Sequence, residues 1–294
     1  VTGRARTFAT RVYRDYAQPE RLAAFGALLS YALDAGYETM TLTAFAGLIA
    51  GDAQRLGGRI LLIRHDIDSD VPRARRMRAV ERERGTVGTY FFRHATWDPA
   101  FMRELLAEGC EVGYHYEELS TMVKERGARD AAHARALIGP AREQLRTAIA
   151  QLRASSGLAI DVLAGHGDFA NRVVDVSNVE LLADTTFREQ IGVRLEAYDV
   201  ETHVDVRVSD NAFDGYWEPE DPFAAIARGV PVVEVLVHPR AWGRSPAENA
   251  RLDAQRLLEG AGFSVRRGRA RTAARRRGDS AGPTGPSRST SRRS

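Results

Sequence analysis

Cysteine is almost absent from this chain of 294 residues: Cys110 stands alone, so no internal disulfide can form and a cysteine-rich zinc site is excluded. Any apolar run near the roughly 20 residues needed to cross a bilayer is also missing, which argues against a transmembrane protein. The best apolar stretch, Leu22 to Leu33, follows Asp15 and Glu20 and lacks a basic flank and a small-residue cleavage site. It therefore does not read as a secretory leader, and a cytoplasmic location is expected. Lysine occurs once, as Lys124, among 42 basic residues, a feature of codon usage with no structural weight. No internal repeat is visible. What the chain does have is 44% hydrophobic residues, which excludes wholesale disorder and is ample for one large α/β domain or two small ones.

The net charge of +3 conceals a sharp division. Residues 266–294 hold ten arginines and one acid, Asp279, giving 10 − 1 = +9, so residues 1–265 carry 3 − 9 = −6. The body is thus mildly acidic, which removes the main argument for a nucleic-acid-binding fold. After Val265 the apolar periodicity ends and the composition turns to Arg, Ser, Gly and Pro. A domain over 1–265 followed by a disordered Arg-rich tail over 266–294 is expected. Such a block can attract RNA, DNA or anionic lipid. Without interleaved aromatics or an amphipathic period it reads as a solvated appendage.

Within the body, short β-rich runs alternate with amphipathic helical patterns. Strands are predicted at Arg59–His65, Thr86–Phe92, Glu111–His115, Asp161–Gly165, His203–Val208 and Pro231–Val237, with a weaker one near Val193–Tyr198. Helices are predicted at Leu22–Leu33, Pro72–Arg84, Pro99–Glu108, Ala128–Ala154, Val179–Glu189, Asp221–Ala227 and Pro246–Glu259. Unbroken Val and Ile runs such as Ile60-Leu-Leu-Ile63 suit strands covered on both faces. Repeated βα units of this kind make a parallel sheet, open or closed into a barrel.

Functional groups in such folds collect at the C-terminal ends of strands. Five of the six better strands end in ionisable residues: Arg64-His-Asp-Ile-Asp68, His115-Tyr-Glu-Glu118, His166-Gly-Asp168, Ser209-Asp210 and His238-Pro-Arg240. A metal site needs carboxylates and imidazoles gathered in this way from separate strands. Each residue also has a plainer reading. Asp66 and Asp68 can cap the next helix, for which Ser69, Asp70 and Pro72 are suited, although two acids straight after a buried strand exceed what capping requires. Gly165 and Gly167 let the backbone at His166 approach a ligand, or form an ordinary turn. His238 can simply end a strand before Pro239. By alternation His65 points away from Asp66 and is expected to be packed. His94, His133 and His203 read as surface or loop residues, and Cys110 as an inert core thiol. Trp97, Trp217 and Trp242 can stack on a sugar or pack the mouth of the barrel.

The order Arg64-His-Asp-Ile-Asp68, Thr89-Tyr-Phe-Phe92, Gly113-Tyr-His-Tyr-Glu117, His166-Gly167, Ser209-Asp210 with Trp217, and Val235-Leu-Val-His-Pro239 with Trp242 resembles the polysaccharide deacetylase family. This family, also called NodB-homology or carbohydrate esterase 4, is matched from about Tyr31 to Trp242, as a divergent branch. The resemblance implies a distorted (β/α)7 barrel and metal-dependent hydrolysis of an N-acetyl amide on a sugar. It implies that Asp66 is the general base and Asp68 a metal ligand, with Ile67 between an otherwise adjacent pair. His115 matches the first of two metal histidines spaced four apart, but Leu119 occupies the second position. His166, or a carboxylate such as Glu117, is then needed to complete the site. His238 matches the general acid, and Asp210 resembles a carboxylate orienting it or the substrate.

The resulting expectation is a hydrolase acting on a C–N amide bond, with zinc or a similar divalent ion as cofactor. Asp68, His115 and His166 are the expected ligands, Asp66 and His238 the catalytic pair. Tyr116, Glu117, Asp210, Trp217 and Trp242 are expected at the substrate, with a backbone N–H near Tyr116 at the oxyanion. The substrate class is an N-acetylated sugar or small amide, with no specific nucleic-acid partner. Two rivals stay open: a metal-independent amidase or cyclic-imide hydrolase on the same barrel, which Leu119 would suit, and a non-catalytic glycan-binding barrel.

Overall fold

A computed structural model describes residues 10, 12–51, 57–210, 216–243 and 245–280. Its centre is a parallel sheet of β1 (Tyr37–Met40), β2 (Arg59–Ile67), β3 (Thr89–Phe92), β4 (Glu111–Tyr116), β5 (Val162–Gly165), β6 (Leu195–Glu196), β7 (Val206–Ser209) and β8 (Val232–Val237). The strands lie in the order β6-β5-β4-β3-β2-β8-β7, with β1 paired to the first half of β2. β6 and β7 form the two free ends, so the sheet curls into a half-barrel, a distorted (β/α)7 barrel open on one side.

Alternation along the strands sorts the side chains. Leu62, Arg64 and Asp66 on β2 share one face, and Glu234 on β8 lies opposite Leu62 in the register. The concave face is apolar low down, where Ile60, Leu62, Phe91, Val162, Ala164 and Val232 pack with Leu42, Phe45 and Val200. Leu42 and Phe45 come from helix α2 (Leu42–Gly51), which crosses the N-terminal end of the sheet. Its first turn is fixed by Leu42 N–H donating to Thr89 Oγ1 (2.9 Å) and Thr43 N–H to Glu111 Oε2 (3.2 Å). With the bottom sealed, the polar residues of the concave face lie at the C-terminal mouth, apart from Glu234, which is buried lower down beside Arg207.

The convex face is clothed by helices whose apolar stripes follow the 3.6-residue period. On α1 (Leu22–Asp34) these are Phe25, Leu28, Leu29 and Ala32. α3 (Val71–Arg82) and α4 (Pro99–Ala107) start on capping aspartates, Asp70 accepting from Arg73 N–H and Asp98 from Phe101 N–H, each beside a proline at the helix start. α5 (Glu118–Arg126) follows β4 directly. The single helix predicted over 128–154 is two, α6 (Ala131–Arg135) and α7 (Ile138–Ser156). Pro140 explains the break, since proline is tolerated only in a helix's first turn. α8 (Phe169–Val174), α9 (Thr185–Gln190) and α10 (Pro222–Ala227) complete the wrap.

The last element, α11 (Pro246–Ser280), crosses the boundary expected at 265. Phe263 is buried against Phe169, and the guanidinium groups of Arg266 and Arg267 donate to the carbonyls of Lys124 and Arg129, each at 2.7 Å. Phe263 is the last large apolar side chain that the helix buries, and Arg and Ala, both strong helix formers, carry it on. Residues 281–294 lie outside the described residues. No helix among the described residues is long and apolar enough to cross a membrane.

Candidate functional site

The exit of β2 sets the site. Arg64 and Asp66, two residues apart on one strand, face the same way, and the guanidinium grips the carboxylate with both prongs: Nε to Oδ1 at 2.8 Å and Nη2 to Oδ2 at 2.9 Å. Arg64 is fully buried and lies over the rings of Phe91 and Tyr198. Burial alone would raise the pKa of Asp66, but Arg64, His115 and His238 overcome it and hold the group at about 2. Capping falls to Asp70, so neither Asp66 nor Asp68 is needed for that duty. His65 points to the other side, as alternation requires. It is fully buried, stacked on Tyr90, with Nε2 2.5 Å from Glu81 Oε1.

Three strand exits converge on one point. A carboxylate oxygen of Asp68 and one ring nitrogen each of His115 and His166 all lie within 4.8 Å of one another. His115 Nδ1 is 2.9 Å from the Ala164 carbonyl, which can only accept, so this nitrogen carries the proton. Its Nε2 lone pair is thereby turned toward Asp68 Oδ1 (3.5 Å) and His166 Nδ1 (3.2 Å). Burial lowers the His115 pKa to about 4 even though Asp66 and Asp68 oppose it, which keeps the ring neutral near pH 7. Asp68 is driven well below the usual carboxylate range, since His166, His115 and His238 outweigh its burial.

Charge pairing distinguishes Asp68 from its neighbours. Asp66 is held by Arg64, Glu117 by Arg93 (3.1 and 2.5 Å), and Asp168 by Lys124 (2.8 Å). Asp68 has no guanidinium or ammonium partner among the described residues, and its buried Oδ1 has no hydrogen bond of proper geometry although His166 Nδ1 is 3.1 Å away. A second cluster, Glu117, His166 and Asp168, has similar spacing, but its two acids are already neutralised. An orphaned carboxylate oxygen facing two imidazole nitrogens, one of them a fixed tautomer, is a donor set that fits a divalent cation such as zinc.

Across the mouth His238 follows β8. Its Nδ1 is 2.6 Å from Asp210 Oδ1, while Asp210 Oδ2 accepts from the His238 backbone N–H and from Trp242 Nε1, both at 2.8 Å. Burial would favour the neutral ring, but Asp210, with help from Asp68 and Asp66, raises the His238 pKa to about 9. The ring is therefore an imidazolium at neutral pH, with Nδ1 engaged.

The residues expected at the substrate divide. Glu117 borders the ligand cluster, held in the fork of Arg93. Asp210 serves His238. Trp242 is 1% exposed and offers no face for stacking; its ring packs on Phe25 and its N–H fixes Asp210. Trp217, half-buried, lies against Trp242 with centroids 5.6 Å apart. Tyr116 does not reach the mouth: it is fully buried, with its hydroxyl 3.3 Å from Glu196 Oε1. The neighbouring Glu117 N–H, where an oxyanion contact was expected, is taken by Glu118 Oε2 at 3.0 Å. Leu119 is fully buried in the first turn of α5. Sequence reasoning gave no role to Arg64, Arg93 or Glu196. Arg64 carried a usable signal, being two residues from Asp66 on a strand and therefore on the same face.

No family model and no curated protein matches the sequence. Among solved structures the chain is similar to a CE4 family pseudoenzyme from Bacillus anthracis, with 13% identity over 70% of this chain and 62% of that one and a TM-score of 0.39. It is similar to the peptidoglycan deacetylase PdaC from Bacillus subtilis (12% identity, 76% and 98% covered, TM-score 0.39). It is also similar to a family 4 acetyl xylan esterase from Clostridium thermocellum in complex with a cobalt ion (14%, 69% and 85%, 0.35). The chain spans a little under two thirds of the Bacillus anthracis protein. Likenesses of this degree say nothing of the chemistry of this chain, which rests on the site itself.

Proposed function

We propose that this chain is a divalent-metal-dependent hydrolase that removes an N-acetyl group from a sugar or a related small amide. The observation that carries the reading is the contrast at the barrel mouth. Asp68 Oδ1 faces two imidazoles and no guanidinium or ammonium group among the described residues, while Asp66, Glu117 and Asp168 are each paired with a cation and the His238 imidazolium follows the adjacent strand. Asp68, His115 and His166 would hold the ion. When bound, a zinc-like ion polarises a carbonyl and acidifies water.

The chain's own groups divide the remaining work. Asp66, kept in one orientation by Arg64 and with Oδ2 3.4 Å from His115 Nε2 beside the ligand cluster, is assigned the proton of the attacking water. His238 carries a proton near neutrality and gives it to the departing amine, which is a poor leaving group as an anion. Asp210 fixes the tautomer and stabilises the charge that His238 holds, and Trp242 fixes Asp210.

Acetate release from a panel of N-acetylated amino sugars, with metal analysis of the same preparation, tests this. About one divalent ion per chain and turnover lost on chelation and restored by zinc are expected. Turnover that survives complete removal of metal would assign the metal-independent amidase. Glycan binding without acetate release would assign a non-catalytic barrel.

A further inference from the structure

α11 presents a second amphipathic face that the barrel does not use. Its inward side is anchored by Asn249 against the Asp15 carbonyl, by Asp253 to Tyr16 and Arg240, by Glu259 to Lys124, and by Phe263 on Phe169. On the opposite side, at helical spacing, run Ala250, Ala254, Leu257, Leu258, Ala261 and Val265, all exposed. Leu257 and Leu258 are each 75% exposed and Val265 54%, the three most exposed large apolar side chains among the described residues.

The acids of this stretch are all engaged elsewhere. Asp253 and Glu259 turn to the barrel, and Glu248 is paired with Arg251 (2.7 Å). At 100° per residue the outward arc from Leu257 to Leu258 contains no carboxylate between Pro246 and Ala270, and Arg251 and Arg269 sit at its edge. The sequence then continues into the arginine block, +9 over 266–294 against −6 for the rest. An apolar stripe edged and extended by arginine is the pattern of a helix that lies in a membrane interface. Two other occupants fit less well. A second copy would bring two +9 segments together, and a nucleic acid has no use for bare leucines.

We propose that α11 docks the protein on an anionic lipid surface, with Leu257, Leu258 and Val265 entering the headgroup–acyl boundary and the arginines meeting lipid headgroups. The charge division along the chain turns this helix, rather than the acidic body, toward such a surface. The inference does not depend on the hydrolase reading.

The test uses the full chain with vesicles of phosphatidylcholine alone or containing about a quarter phosphatidylglycerol. Co-sedimentation with the anionic vesicles only is expected. The double variant Leu257→Ser with Leu258→Ser, with unchanged circular dichroism, is expected to bind about tenfold more weakly. In a separate Leu258→Trp protein, tryptophan emission should shift to the blue on adding anionic vesicles, which keeps the test decisive if the double variant fails to fold. Four results would each overturn the proposal: no sedimentation with anionic vesicles, no blue shift, a folded double variant that binds as well as the parent, or binding to an oligonucleotide in place of vesicles.

Discussion

Replacing Asp210 with asparagine should remove a pH-dependent part of the stability as well as a catalytic contact. His238 titrates at about 9 in the folded chain against 6.5 for an ordinary histidine, and its side chain is only 16% exposed. A shift of 9 − 6.5 = 2.5 pK units corresponds to at most about 3 kcal/mol. Because the folded pKa is raised, this contribution is fully present below pH 6.5 and is lost as pH rises through 9. In the Asp210→Asn protein the largest of the raising charges is gone and only Asp68 and Asp66 still oppose burial, so most of the contribution disappears. A smaller, pH-independent loss remains, about 1 kcal/mol for each disturbed bond from the His238 N–H and Trp242 Nε1. Urea unfolding of both proteins with a chelator present, at pH 6, 7.5 and 9.5, reads the difference directly. The gap should be widest at the lowest pH and shrink toward the small residual at the highest. A gap that is the same at all three would show that Asp210 does not raise the His238 pKa, and the imidazolium assigned to the resting site would fall with it.

Other substitutions separate roles that lie close together. Asp66→Asn should keep bound metal and lose turnover at least about a hundredfold, while Asp68→Ala should lose metal as well; equal metal loss in both would mean that the roles of the two aspartates have been merged. Glu81→Gln breaks the buried set of His65, Tyr90 and Arg78 around Glu81, and unfolding measurements should show a loss of about 3–5 kcal/mol; a loss below 1 would refute an ionised Glu81. Phe263→Ala should cost about 3 kcal/mol by emptying the contact with Phe169, and an unchanged midpoint would mean that α11 does not pack on the barrel.

The strands and their exits were legible because buried β-branched runs are unambiguous and because ionisable residues directly after them have few structural uses. That is why Asp66, Asp68, His115, His166, Asp210 and His238 could be placed at the strand ends from the sequence, while the roles proposed for them came from the resemblance. Tyr37–Met40 was missed because a four-residue edge segment with one buried side chain carries no periodic signal. The placement of Tyr116 depended on which way a ring turns at the end of β4, and that of Trp242 on the 3-10 turn over Pro239–Trp242 that follows β8. Glu196 and Asp210 decide that, and they come from distant parts of the chain. The helical period of α11 was read over Pro246–Glu259, but which of its faces turns outward shows only once the contacts of the inward face are known. Leu119 looked like a missing ligand, whereas its position faces the core in the first turn of α5 and His166, from the next strand, stands beside His115.

Calorimetric titration of the metal-free chain with zinc, beside His166→Ala and Glu117→Ala, tests the site most directly. One zinc per chain should bind the parent. His166→Ala should weaken binding about a hundredfold, and Glu117→Ala, whose side chain is committed to Arg93, should leave it unchanged. Loss in Glu117→Ala alone, or no change in either variant, would contradict a centre built from Asp68, His115 and His166.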